Sequence, residues 1–409
     1  MKRKTLLSLF LLSTLCGLTS CDLSFSFVTN SSSASSSESE SLTSSESGTI
    51  SSSEETTNIS SSVSSSDTDD ISFHFFPLGN ANSGDTTYIK AGDTDILIDA
   101  GSTQSSASSI ISYVKRFCTD NTLEYVIATH AHEDHIAAFA PQTDENGVLS
   151  NFEVENIIDF GEQHKTNSKT YQRYAAKRDA LIAAGTKYYA ANDLFDANHA
   201  GVNNVFTIGN NLSFEVLYQE YYDKSTSNEN DYSVCLLFNQ NDEKYFLFTG
   251  DLEEDGEESL VDSYFDTHGK DLPHVELFKA GHHGSYTASS SYLLNKITPE
   301  ICVVNCCAGT SEYTSNVNNQ FPSQEFINRI APHTSKVYIP TQVSNNPDEK
   351  YQLMNGEIVL SYLGNGEENF TFSNNSTKLK DTEWFNSTYE VDGEPFKMRV
   401  WPNVTSTYN

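Results

Sequence analysis

The sequence predicts an α/β (α+β) protein built as a four-layer αββα sandwich with its functional site at one edge. Two observations predict it. Short apolar runs of strand length alternate with stretches of helical spacing, and three of those runs end in turns that carry histidine or aspartate.

In chain order, residues 72–76, 95–99, 123–128, 214–218, 234–238, 245–248 and 275–278 read as strands. Between them, 108–117 and 168–184 have helical spacing, with Ile110, Ile111, Tyr113 and Val114 on one apolar face of the first. Residues 301–304, 324–330 and 336–340 continue as strand, helix and strand, and 355–363 adds a strand that closes the sheet. After Gly364 the pattern weakens to turns rich in Asn, Thr and Gly, where Trp384, Phe385, Phe396 and Trp401 predict short strands packing on the domain.

Residues 129–135 read T-H-A-H-E-D-H at the end of an apolar strand. His130 and His132 alternate by two, so in an extended stretch both point to one side and can share a metal. Asp134 and His135 follow at the turn into I-A-A-F-A and can face a second metal. Neutral imidazole and carboxylate suit zinc, and also manganese or iron. Two later stretches repeat the design. Residues 245–251 (Y-F-L-F-T-G-D) place Asp251 at a strand terminus, where it can bridge two metals. Residues 275–285 (V-E-L-F-K-A-G-H-H-G-S) end in the Gly-flanked pair His282 and His283, of which one can ligate and the other shuttle protons.

The order T-H-x-H-x-D-H, T-G-D, G-H-H-G-S resembles the metallo-β-lactamase superfamily of binuclear metallohydrolases, and within it the hydrolase domain of competence-type DNA-internalisation proteins. Upstream, P-L-G-N-A-N-S-G-D (77–85) resembles that branch's opening turn, and I-L-I-D-A-G (96–101) its second strand with the following Asp-x-Gly turn. The resemblance implies two divalent ions, with zinc preferred and manganese or iron as alternatives. It implies His130, His132, Asp134, His135, Asp251 and His283 as ligands, His282 as acid or proton shuttle, catalysis carried by His282 and Asp134, and Asp99 and Asp85 as supports behind the ligands. Two departures stand out. A further histidine for the first metal is available only from His164 or His199, each read as a surface residue, and the branch's late His-Pro pair is here N-V-N-N-Q-F-P (316–322).

The ends of the chain carry other signals. M-K-R-K followed by L-L-S-L-F-L-L-S-T-L has the layout of an export signal, too short to span a membrane stably. L-T-S-C (18–21) resembles a bacterial lipobox, which predicts lipid on Cys21 and a chain anchored to the outer face of a bacterial membrane. Residues 29–70 are almost wholly Ser, Thr, Glu and Asp and cannot bury enough apolar surface to offset chain entropy. The expected organisation is therefore a signal over 1–20, a lipidated, disordered tether over 21–70, a catalytic domain over 71–363 and a β-rich extension over 364–409. Of seven cysteines, Cys118, Cys235, Cys302, Cys306 and Cys307 fall in the folded part, and for Cys302, Cys306 and Cys307, in I-C-V-V-N-C-C-A-G, packing as small apolar residues is the expectation.

Charge argues against one easy reading. With 24 Lys+Arg against 56 Asp+Glu the formal charge is −32, and no basic cluster exists to neutralise duplex phosphates. Stable duplex nucleic-acid binding is not expected. Small or short anionic substrates are, because the ions themselves supply positive charge. The expected activity is hydrolysis of a phosphodiester, from short nucleic acid or a phosphate-linked envelope polymer, by water made acidic between the ions. Lactam or lactone opening, and a silent lipid-anchored metal- or ligand-binding protein, are the alternatives. Oligomeric state is left open.

Overall fold

Phe73 and Phe246 meet ring to ring, 4.6 Å between centroids, and mark the seam between two β-sheets. The computed structural model describes residues 69–409 except 162–166, 345, 347, 392, 393 and 398. The export signal, Cys21 and nearly all of the tether lie outside the described residues, as does His164.

The first sheet draws on β1 (Ile71–Phe75), β2 (Thr87–Ala91), β3 (Thr94–Ile98), β4 (Thr122–Ile127), β5 (Glu153–Asp159) and β6 (Lys187–Ala190). The second uses β7 (Val205–Thr207), β8 (Leu212–Leu217), β9 (Cys235–Gln240), β10 (Lys244–Phe248), β11 (Leu277–Lys279) and β12 (Ile301–Val303). The chain continues through β13 (Cys307–Ala308), β14 (Val337–Tyr338), β15 (Thr341–Val343), β16 (Tyr351–Leu353), β17 (Ile358–Tyr362) and β18 (Glu368–Phe372). Strand order is β18-β17-β1-β2-β3-β4-β5-β6 in one sheet and β14-β12-β11-β10-β9-β8-β7 in the other, with a small sheet β13-β15-β16 beside them. Residues 388–391 and 394–397 form a separate two-stranded sheet.

Apolar faces explain the layering. In β8 Leu212, Phe214 and Val216 are buried while Ser213 and Glu215 are less so, the period-two pattern of a sheet with one core face. Phe73 and Phe75 of β1 join Phe214, Phe238, Phe246 and Phe248 in the inter-sheet core, and each fully buried ring contributes about 1.5–3 kcal/mol. Helices α1 (Ala107–Val114), α2 (Glu133–Ile136) and α3 (Lys169–Ala184) accompany the first sheet, with Ile110, Val114 and Tyr174 joining its core. Against the second sheet, α4 (Glu254–His268), α5 (Ser291–Ile297) and α6 (Gln324–Ile330) bury Leu260, Val261, Leu293, Leu294, Phe326 and Ile327 in a second core. The αββα sandwich is the observed architecture. Among the described residues no helix is long and apolar enough to cross a membrane.

Several elements differ from the sequence expectation. β2, β5, β6 and α4 escape an apolar-run search because polar residues interrupt them. In β5 the buried Asn156 donates to the Glu124 carbonyl at 2.7 Å, and buried Asp159 accepts from Tyr188 at 2.7 Å and Arg178 at 2.9 Å. The strand expected over 336–340 shrinks to the two residues of β14, because the chain leaves at once for β15. β17 does not close its sheet. β18, from the stretch expected to be turns after Gly364, pairs along its whole length and rests Phe370 and Phe372 on the core. Trp384 and Trp401 pack on the second core and Phe385 is buried in it, while the Phe396 side chain lies outside the described residues. Cys118, Cys235, Cys302, Cys306 and Cys307 are free and buried.

Candidate metal centre

Three strand ends deliver the cluster. β4 runs out at Ile127, β10 at Phe248 and β11 at Lys279, all at the same edge of the sandwich. Backbone hydrogen bonds stitch the loops that follow. Asp99 N donates to Ile127 O at 2.8 Å, Ala100 N to His135 O at 2.7 Å, Asp85 N to Asp134 O at 2.9 Å, Val234 N to Thr129 O at 2.9 Å and His282 N to Gly250 O at 3.1 Å. Two glycines are required by closeness. A Cβ on Gly101 would lie 1.5 Å from the Asp134 carbonyl oxygen, and Gly250, at φ +56°, would bring one within 2.8 Å of Ser233 Oγ. His282 and His283 hold φ of 46° and 54°, a left-handed conformation uncommon for histidine that turns both rings off the end of β11.

The side chains converge on Asp251. Its Oδ2 lies 3.1 Å from His135 Nε2, 3.5 Å from His283 Nε2, 3.8 Å from His282 Nε2 and 3.9 Å from His130 Nε2. His130 Nε2 is 3.0 Å from His132 Nδ1, and His283 Nε2 is 3.3 Å from Asp134 Oδ2. Four ligands around one ion at zinc–nitrogen bond lengths stand roughly 3.3 Å apart, so these separations suit donors aimed at shared centres. Hydrogen bonding says the same. His135 Nε2 is buried with Asp251 Oδ2 at 3.1 Å, yet neither it nor Asp251 Oδ1 makes a hydrogen bond. Two buried polar atoms left without a hydrogen-bond partner in the midst of imidazoles and carboxylates fit a place for a cation.

The opposite ring nitrogens are held. His135 Nδ1 is 2.7 Å from Asp99 Oδ2, and Asp99, at φ 57°, also accepts from the Thr129 backbone and hydroxyl at 2.8 Å each. His283 Nδ1 donates to Asn305 O at 2.8 Å, and His130 Nδ1 faces the Thr129 and Ser233 hydroxyls. Each turns Nε2 toward the cluster. Asp85 Oδ2 comes within 3.9 Å of His135 and His283, but on their Nδ1 sides. Although Asp85 is close enough to be counted with His135, Asp251 and His283 as a possible ligand group, its place is behind the rings, paired with Lys279.

His283 is fully buried between Asp134 and Asp251. His282 is one-fifth exposed, with Nδ1 held by Thr287 Oγ1 at 3.1 Å and Glu253 Oε1 at 3.4 Å. It stands on the rim, where protons can exchange with solvent.

Charge without cations is balanced by protons. Burial opposes charge on His135, but Asp251 and Asp99 outweigh it and hold its pKa well above the ordinary value; His283 is raised likewise, against burial, chiefly by Asp251. Burial also works against the Asp134 and Asp251 carboxylates, yet the imidazoles beside them hold both well below the usual range. His130 is pushed down by burial and by His135, and stays in the neutral form a ligand needs.

Residues outside the sequence reading complete the site. Lys279, buried in β11, pairs with Asp85. A lysine inside an apolar strand next to G-H-H-G was the signal. Tyr313 donates to Asp134 Oδ2 at 2.6 Å, and Phe321 stacks 5.8 Å from His282 and 5.5 Å from His283. Phe321 belongs to the F-P pair of N-V-N-N-Q-F-P (316–322), and its ring carries no donor. His199 is half exposed, paired with Asp223 at 3.2 Å and stacked on Tyr218, and touches none of the cluster.

A two-sheet sandwich with histidines and carboxylates converging at its strand ends makes a candidate metal centre of the kind that suits metal-dependent hydrolysis. Residues 79–148 match the sequence model of the Metallo-beta-lactamase superfamily. A 91-residue stretch is 37% identical to Competence protein ComA of Neisseria gonorrhoeae, spanning 22% of this chain and 11% of that protein. Among solved structures, the metallo-beta-lactamase fold protein YhfI from Bacillus subtilis is 14% identical over 66% of this chain and 96% of its own, with a TM-score of 0.38. The isothiocyanate hydrolase from Delia radicum gut bacteria is 14% identical over the same shares, with a TM-score of 0.35.

Proposed function

We propose that this chain is a hydrolase of phosphodiesters that works with two divalent ions, zinc preferred. One observation carries the reading: Asp251 Oδ2 lies between the His130–His132 pair and the Asp134–His135–His283 set. His130 Nε2 and His132 Nδ1 would hold one ion, Asp134, His135 and His283 the other, and Asp251 would serve both. When bound, the ions supply Lewis acidity toward the phosphoryl oxygens and lower the pKa of water at the site.

The protein's own groups do the rest. Asp99 and the Asn305 carbonyl fix the tautomers of His135 and His283, so that both rings present a lone pair inward. His282, steadied by Glu253 and Thr287, gives a proton to the departing oxygen and recovers it from solvent. The preference for phosphodiesters rests on the likeness of the three strand-end motifs to the competence-type branch, and the acidic surface restricts it to short substrates. We further propose that the chain is exported and lipid-anchored through Cys21 at the outer face of a bacterial membrane, on the strength of the first 21 residues.

The test is turnover of bis(p-nitrophenyl) phosphate, a phosphorylcholine ester, short single-stranded DNA and a lactam by the zinc-loaded protein, compared with Asp251→Asn and its metal content. Retained metal with unchanged turnover in the variant would defeat the site assignment. Turnover of the lactam alone would replace the substrate class.

A further inference from the structure

We propose that the Tyr313 hydroxyl is a substrate-binding donor at the metal centre, placed to hold a non-bridging oxygen of the phosphoryl group beside Asp134; this rests on the metal-dependent reading above. The hydroxyl donates to Asp134 Oδ2 at 2.6 Å, and that same oxygen lies 3.3 Å from His283 Nε2, so the phenol reaches the solvent-side edge of the cluster. Tyr313 is itself 52% exposed. One end of the side chain touches a candidate ligand while about half of its surface is open to solvent, where a substrate can meet it.

The hydroxyl is also held in place. The neighbouring Glu312 carboxylate accepts from the Asn82 side chain and, at 3.0 Å, from Ser83 N, which ties this loop to the turn that leads into Asp85. The Tyr313 ring packs 5.4 Å from Phe321. Behind Phe321, buried Arg399 bonds the carbonyls of Pro322 and Gln320 at 2.8 Å each. A donor positioned in advance by its surroundings loses little entropy on binding.

Chemistry gives this donor its use. An oxygen committed to a cation is a weaker hydrogen-bond acceptor, so with Asp134 Oδ2 turned to an ion, an anionic phosphoryl oxygen arriving beside it becomes the better partner. The Phe321 ring offers no donor, and the acidic side chains near the rim, Glu253 and Glu312, repel a phosphate. A neutral hydroxyl grips an anion without adding a charge that must be balanced.

The experiment measures inorganic phosphate binding to the zinc-loaded full chain by calorimetry, zinc content by atomic emission, and KM and kcat on bis(p-nitrophenyl) phosphate, for wild type, Tyr313→Phe and Tyr313→Ala. Tyr313→Phe is expected to keep its zinc, bind phosphate about tenfold more weakly and show a similar rise in KM, as a lost hydrogen bond to a charged group implies. Tyr313→Ala should do no less. Equal phosphate affinity in wild type and Tyr313→Phe, zinc lost in step with phosphate, or no phosphate binding by wild type would each overturn the proposal. Weakened phosphate binding in a protein that cleaves no phosphodiester would uphold the donor and remove the phosphodiesterase reading instead.

Discussion

Asp99 Oδ2 accepts from His135 Nδ1 at 2.7 Å, while the far nitrogen of the same ring looks at Asp251 from 3.1 Å. A carboxylate behind an imidazole fixes the tautomer and raises the basicity of the ligating nitrogen. Asp99→Asn is expected to lower zinc affinity by roughly 10- to 100-fold. Competition titration against a chromogenic chelator reads the change; equal affinity would mean that the pair only fills space.

Metal binding should release protons. Burial opposes charge there, but Asp251 and the other neighbouring carboxylates raise the pKa of His135 and His283 above the ordinary histidine value, so an ion competes with protons at these rings more than at an isolated imidazole. Apparent zinc affinity therefore rises with pH through neutrality and falls on acidification. Calorimetry in buffers of different ionisation enthalpy counts the protons, and zinc affinity that does not change between pH 6 and 8 would refute this account.

Gly101 has no room for a side chain. Its Cβ would meet the Asp134 carbonyl at 1.5 Å, where Asp85 N now donates to that oxygen. Gly101→Ala must push residues 134 and 135 outward, and we expect lost zinc together with a stability loss of about 1–3 kcal/mol, typical of overpacking. Urea unfolding and metal analysis report on both.

Lys279 and Asp85 form an ion pair with both partners buried. Removing the cation alone strands a carboxylate away from water, so Lys279→Met is expected to cost about 3–5 kcal/mol. The double variant Lys279→Met with Asp85→Asn should recover a good part of that. If the double variant is as unstable as the single one, packing rather than charge explains the loss.

The ligand-bearing turns were legible because each follows an apolar strand and is dense in residues that seldom crowd together without cause. The strands and helices missed were those with polar interiors. Asn156 and Asp159 interrupt the pattern of β5, and their partners, Glu124, Tyr174, Tyr188 and Arg178, come from other elements. Lys279 was readable as a charge inside an apolar run; Tyr313 was not. It sits in a polar loop 179 residues from its partner Asp134, with nothing local to single it out.

Local order along the chain is enough to name the donors, because coordination chemistry asks for particular atom types and strand alternation sets which way neighbouring ones point. Their grouping is another matter. Whether His282 or His283 faces inward depends on two left-handed residues and on what Asn305 and Glu253 offer them, and Asp251 reaches both histidine sets only because β4, β10 and β11 end at one edge. The contacts of Asp251 with His130 and His135 join segments more than a hundred residues apart, and only the packing of two sheets around a shared aromatic core brings them within bonding range.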